Sequence, residues 1–245
     1  MKSTQTAMPD NTLDARIRRG MQSQLNFRQE RIKAGDTPLG WKIGFGSPAA
    51  LENLRIDAPL IGGLMQSARL ATGSGVSIAS WTNPAVEPEI ALYLSRDLPE
   101  APDRETVRAA VGAVGPAIEI ADVNITPEAS AVEAILAGNI FNRHVVLGQP
   151  DPGRAGCVLD GLVGRVFKDE EEIAIVDDPQ GLTGDLLDLL SHVANTLAQL
   201  GAGLRAGEVV IMGSIIPPLW VEDAMEMRYV LDPVDTISAK IIDGK

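Results

Sequence analysis

The chain has 245 residues, a formal net charge of −12, one cysteine and two histidines. A length of this order buries roughly three quarters of the unfolded surface, so one hydrophobic core needs no disulfide or structural metal. The acidic balance, with no run of Lys or Arg, argues against nucleic acid as a partner. Cys157 alone excludes an internal disulfide and a CxxC zinc site, and two histidines exclude a three-His metal centre. No apolar stretch reaches the roughly 18 residues of a membrane helix, and the polar start lacks a secretory signal. A soluble, cytoplasmic protein with no membrane partner is expected.

In chain order, residues 1–11 read as a disordered tail and 12–245 as a single domain, with a helical N-terminal part over 12–55 and a β-rich core over 56–245. Asn11 or Thr12 caps a helix carrying Leu13, Ile17, Met21, Leu25 and Ile32 at helical spacing, which stops at Gly35. A strand follows over 39–45. Ser47-Pro48 then announces a helix to Leu54, since Ser accepts from free N–H groups and Pro suits the first helical position. Strands are expected at 75–80, 86–94 and 116–121, with an amphipathic helix over 103–111.

Thr126-Pro127 repeats the cap signal and opens a helix to Ala137, after which 144–147 is extended. Segments 162–168 and 172–176 flank an acidic turn as a hairpin. Residues 185–200 form a helix with Leu186, Leu189, Leu190, Val193, Leu197 and Leu200 on one face, and 209–212, 225–231 and 236–241 close the chain as strands. Strand clusters with isolated helices indicate an α+β fold rather than a doubly wound one. Gly201-Ala202-Gly203 follows a helix and precedes a strand, the reverse of a pyrophosphate-binding turn, and is read as a helix end. His144 and His192, in apolar surroundings, read as structural.

Chemistry concentrates in three strands. Glu87 and Glu89 are two apart in an apolar run, so both carboxylates project from one face, and Glu119 interrupts a second run, Ala117-Ile118-Glu119-Ile120-Ala121. Carboxylates buried in such strands need a compensating charge, and an all-oxygen set suits Mg²⁺, Mn²⁺ or Ca²⁺. The bland alternative is that they face water from half-buried strands. Lys42, between Trp41 and Ile43, either snorkels to solvent, the commoner case, or lines a pocket as a charged or proton-transferring group. The Ser47-Pro48 helix start either is a simple cap or offers N–H groups to a substrate carboxylate.

Four segments in order, Gly40-Trp41-Lys42-Ile43-Gly44-Phe45-Gly46-Ser47, Val86-Glu87-Pro88-Glu89-Ile90-Ala91, Pro116-Ala117-Ile118-Glu119-Ile120-Ala121-Asp122 and Gly138-Asn139-Ile140-Phe141-Asn142, resemble the fumarylacetoacetate hydrolase superfamily. Within it the likeness is to its 2-hydroxypentadienoate hydratases and 4-oxalocrotonate decarboxylases, over nearly the whole chain. The resemblance implies a mixed, rolled β-sheet core with peripheral helices and a homo-oligomer. It implies Mg²⁺ (or Mn²⁺) on Glu87, Glu89 and Glu119, and a small 2-oxo acid substrate that chelates it. Lys42 matches the family's active-site lysine, and with Glu87 would carry catalysis. Ser47, Asn139 and Ser214 would bind substrate, although Gly138 stands where the family's Asp-Asn pair has its aspartate.

A second departure is Ala58-Pro59-Leu60-Ile61-Gly62, where hydratases carry an acid after the proline. Leu60 cannot transfer a proton, and Asp57 could replace it only if the loop folds differently. The implied reaction is hydration of a 2-hydroxy-2,4-dienoate, or its 2-oxo-4-enoate tautomer, to a 4-hydroxy-2-oxo acid in aromatic-compound degradation. Decarboxylation of a vinylogous 2-oxo diacid comes second. C–C hydrolysis is third, since the first histidine is His144, and a non-catalytic metal-binding homologue is last.

Overall fold

Two sheets organise residues 13–243, the part of the chain that the computed structural model describes. The elements are α1 (Ala15–Lys33), β1 (Pro38–Gly44), α2 (Pro48–Leu54), β2 (Leu60–Met65), β3 (Arg69–Leu70), β4 (Gly75–Ser77), β5 (Pro84–Leu94), α3 (Arg104–Ala110) and β6 (Val111–Asp122). They continue as α4 (Val132–Ala137), β7 (Asn142–Leu147), β8 (Val163–Lys168), β9 (Glu171–Val176), α5 (Leu186–Ala198), β10 (Val209–Ser214), β11 (Leu219–Trp220), β12 (Met225–Asp232) and β13 (Asp235–Asp243). The larger sheet has the order β2-β1-β10-β5-β6-β7-β3, with β11 on β5; the smaller has β4-β13-β12-β8-β9. This is the expected α+β architecture.

The larger sheet is curled, and its register shows why that matters. Lys42 on β1 lies opposite Ile211 on β10, Ile211 opposite Ala91 on β5, and Ala91 opposite Gly115 on β6. On a flat sheet those three strand steps span about 14 Å, and Glu119 lies four residues, about 13 Å, farther along β6. Yet Lys42 Nζ stands 2.5 Å from Glu119 Oε1. Only a rolled sheet, with β10 shifting register between Ile211 and Ser214, brings these side chains together.

Outside this roll, α1 packs on α4 and β2. It does so partly through polar residues: Gln24 Nε2 donates to the carbonyls of Ile61 and Leu136, each at 3.0 Å. The Arg28 guanidinium lies 4.4 Å from the Trp41 ring centre and donates to the Leu64 carbonyl at 3.0 Å. These bonds satisfy buried backbone oxygens and so fix β2 against the helix.

Several local expectations are corrected. The first helix is capped by Asp14, which accepts from Arg16 N at 2.7 Å; Asn11 and Thr12, like the tail assigned to 1–11, lie outside the described residues. Thr126-Pro127 does not open a helix. Asn53 Nδ2 donates to the Pro127 carbonyl at 2.7 Å, Glu128 is extended, and α4 begins only at Val132. β2 had no sequence signal because Leu60-Ile61-Gly62-Gly63 lacks alternation. Its glycines answer tertiary contacts: a Cβ on Gly62 would lie 2.9 Å from Lys42 Cγ, and one on Gly63 3.3 Å from Arg28 Nη1.

Candidate active site

β5 and β6 pair antiparallel with Glu87 directly opposite Glu119, and Glu89 sits two residues along on the same face as Glu87. One carboxylate oxygen from each of the three lies within 4.8 Å of the others. Glu89 and Glu119 are each 1% exposed, which overturns the water-facing alternative for them, while Glu87 is half-buried. Lys42 is 2% exposed and does not snorkel; its ammonium donates to Glu119 Oε1 and, at 3.2 Å, to the Ile140 carbonyl. Two of its three protons are thereby used. Asn142 Nδ2 also donates to Glu119 Oε1, at 2.8 Å, so Oε2 is left for another ligand.

The electrostatics ask for a cation. Burial, reinforced by the Glu119 charge and opposed by Lys42, pushes Glu87 up to about 7. Burial first, then Glu119 and Glu87, raises Glu89 well above the usual carboxylate range, against the pull of Lys42 and an N–H bond from Gly213 at 2.7 Å. Three acids facing one ammonium either take up protons or hold a metal. The donor set fits a hard divalent ion: oxygens about 2.1 Å from Mg²⁺ stand roughly 3 to 4 Å apart, so the observed cluster needs only slight contraction. Glu87, Glu89 and Glu119 can therefore hold a divalent metal.

Lys42, Ser47, Glu87, Glu89 and Ser214 open on one cavity of about 280 Å³. Ser47 also caps α2, accepting from Ala50 N at 3.4 Å, and Ser214 donates to the Pro88 carbonyl at 3.4 Å. Asn139 is elsewhere. It lines a separate cavity of about 510 Å³, and its amide clamps Gly63, accepting from N at 2.7 Å and donating to O at 2.9 Å. Asn139, Ile140 and Phe141 form a left-handed turn with φ of 58°, 48° and 65°. Such backbone costs about 1 kcal/mol or more per residue. Here it delivers the Ile140 carbonyl to Lys42 and the Phe141 ring to the cavity wall.

Asp57 does not replace the missing acid at Leu60. It is exposed and lines another cavity, of about 640 Å³, with His192, whose Nε2 lies 2.9 Å from the Pro59 carbonyl. His144 stacks on Trp81 with ring centres 6.1 Å apart. Neither histidine lines the triad's cavity. Two residues escaped the sequence reading. Asn142, a polar residue entering a strand, steadies Glu119, and its only signal was its place at the end of Gly138-Asn139-Ile140-Phe141-Asn142. Thr183 has a buried hydroxyl with no hydrogen-bond partner among the described residues, and its methyl packs near Gly46 and Gly213 in the cavity wall. Nothing in the loop sequence marked it.

A rolled sheet with an acidic triad facing a buried lysine defines a fumarylacetoacetate hydrolase-type fold with a carboxylate cluster that could hold a metal. The fold resembles the solved 4-oxalocrotonate decarboxylase from Pseudomonas putida G7, complexed with magnesium and adipate, at a TM-score of 0.80 and 22% identity over 89% of this chain and 83% of that one. No model of a known protein family matches the chain. Among curated relatives, the 2-keto-4-pentenoate hydratase of Paraburkholderia xenovorans (strain LB400) is 30% identical over 195 residues, covering 79% of this chain and 72% of that protein. The 2-hydroxyhexa-2,4-dienoate hydratase of Comamonas testosteroni is 28% identical over 251 residues, 99% and 94% of the two chains. The chain belongs to the 2-keto-4-pentenoate hydratase family.

Proposed function

We propose that the protein is a divalent-metal-dependent hydratase that converts a 2-hydroxy-2,4-dienoate, or its 2-oxo-4-enoate tautomer, into a 4-hydroxy-2-oxo acid. The observation that carries this reading is the clustering of Glu87, Glu89, Glu119 and Lys42 beside one small cavity, in a chain 30% identical to a hydratase. Mg²⁺ or Mn²⁺ on the three carboxylates supplies Lewis-acid polarisation of the substrate's 2-oxo group. Lys42 offers its third proton to the substrate carboxylate and thereby fixes the chain of the substrate along the cavity. The dienol loses its hydroxyl proton and gains one at C5, giving a 2-oxo-3-enoate whose C4 is electrophilic by conjugation. Water then adds hydroxyl to C4 and a proton to C3. Glu87, half-buried and lining the cavity, is the carboxylate that takes the proton from water and returns it. Ser47 and Ser214 supply polar contacts to the substrate, and Asn139 acts at one remove, through the turn that carries Ile140.

Decarboxylation of a vinylogous 2-oxo diacid is the second reading. It is favoured by Leu60, since loss of CO₂ needs no acid there to activate water. We further propose a homo-oligomer acting in the cytoplasm, with 12–245 as one catalytic domain. No helix among the described residues is long and apolar enough to cross a membrane.

The test is the ultraviolet absorbance of 2-hydroxypenta-2,4-dienoate with the protein, run with Mg²⁺ or Mn²⁺ and again with EDTA, followed by product identification. Metal-dependent loss of the dienol band with 4-hydroxy-2-oxopentanoate formed is expected. An unchanged band under metal-saturating conditions overturns hydration of this substrate class.

A further inference from the structure

The walls of the cavity divide sharply by chemistry. Glu87, Glu89, Lys42 and the hydroxyls of Ser47 and Ser214 line part of it, with Glu119 behind Lys42; apart from Thr183, whose buried hydroxyl has no partner among the described residues, the other side chains are apolar, chiefly Phe45, Phe141, Val123, Ile216 and Trp220. Among the described residues, no arginine, no histidine and no second lysine lines it. Phe45 and Phe141 meet edge to face, with ring centres 6.2 Å apart and planes at 71°. Both rings are presented from left-handed backbone, with φ of 61° and 65°, a conformation that side chains other than glycine rarely adopt. Strain of this kind persists where surrounding structure over-determines it, and it gathers at ligand sites. Trp220 completes the wall while remaining 52% exposed; β11 holds it opposite Ala85, two residues from Glu87.

Charge points the same way. A divalent ion and Lys42 together balance the three carboxylates, so one substrate carboxylate is already an excess negative charge in the cavity. A second, at the far end of the substrate, would lie among rings, methyl groups and at most the Thr183 hydroxyl, with no cation, and burying a carboxylate without a paired charge is strongly unfavourable.

We infer that the cavity selects a 2-oxo acid, or its dienol, that bears a single carboxylate and an apolar alkyl or aryl group at the remote end, with Phe45, Phe141 and Trp220 as the residues that choose it. This deepens the proposed function and rests on it for the 2-oxo acid headgroup, and it disfavours the diacid decarboxylation.

The experiment is calorimetric competition on Mg²⁺-loaded protein with saturated 2-oxo acids, which bind without reacting. Affinity is expected to rise about fourfold per methylene from 2-oxopentanoate through 2-oxohexanoate to 2-oxoheptanoate. The diacid 2-oxohexanedioate is expected to bind at least about tenfold more weakly than 2-oxohexanoate. Trp220→Ala, at an exposed position that the fold tolerates, should flatten the chain-length series without changing the affinity for Mg²⁺. A diacid that binds as well as the monoacid of equal length, a flat series in the unaltered protein, or a series untouched by Trp220→Ala overturns the inference. Turnover separates the two claims. If the binding order holds but no dienoate is consumed, hydration fails and the selectivity stands. If a dicarboxylic dienoate is hydrated as fast as 2-hydroxyhexa-2,4-dienoate, hydration stands and the selectivity fails.

Discussion

The two sheets are built from similar residues under opposite rules. In the smaller sheet, β12 and β13 alternate buried and open positions, so Met227, Tyr229 and Leu231 face the core while Glu226, Arg228 and Lys240 face outward. In the larger sheet, β5 and β6 are buried on both faces almost end to end, and their charged residues are buried with them, Glu87 by half. Charges on the first pair of strands cost little because water solvates them. Those on the second need lysine, asparagine, backbone N–H groups and a cation. The lesson is that an acidic residue in a strand becomes informative when its neighbours on both faces are apolar.

The largest test of this contrast is Glu89→Gln. It removes one of three metal oxygens and leaves the cavity shape intact, so calorimetry should show divalent-ion binding lost and dienoate turnover lowered by about a thousandfold or more, the scale of removing a key electrostatic group. Retained tight binding would dismantle the metal site. Next is Lys42→Met, which strands Glu119 in the interior. Breaking a buried pair in this way costs about 3–5 kcal/mol, and thermal denaturation of the metal-free variant should show it. A loss below about 1 kcal/mol would mean that the ammonium is not what keeps Glu119 buried.

A subtler prediction concerns pH. Because Glu87 is raised to about 7 and Glu89 is also raised well above the usual carboxylate range, the metal-free folded state binds protons that the unfolded chain has already released. This contribution to stability is fully present below the ordinary carboxylate range near 4.5 and is lost as pH rises through about 7. In EDTA the midpoint of thermal unfolding should therefore fall between pH 5.5 and 8, and saturating Mg²⁺ should abolish that slope. A metal-free midpoint that climbs over this interval would reverse the assignment. The smallest effect belongs to the other sheet: Lys240→Met breaks an exposed pair with Glu226 at 3.7 Å. Chemical denaturation should register under about 1 kcal/mol.

Much of the fold could be read from local signals. Ser47-Pro48 announced a helix that forms where its cap says, because a side-chain oxygen accepting from a free N–H is a contact within three residues, while apolar spacing marked the helices that Asp103 and Asp185 prove to cap. β12 and β13 were legible from their period of two. Thr126-Pro127 carried the same type of signal and failed, since a long-range bond from Asn53 holds Pro127 in an extended connection. β2 was silent because its two glycines make room for Lys42 and Arg28, which arrive from other elements.

The candidate site divides along the same line. Spacing alone established that Glu87 and Glu89 share a face, that Glu119 and Lys42 interrupt apolar strands, and that such groups need a partner. A period of two within one strand is a local property of the backbone. That the partner of Glu119 is Lys42, that Asn142 steadies this pair while Asn139 clamps Gly63, and that Phe45, Phe141 and Trp220 wall the cavity were decided only by the curl of the sheet and the left-handed turn after α4. Those contacts join residues tens of positions apart, and their geometry depends on packing that no short segment encodes.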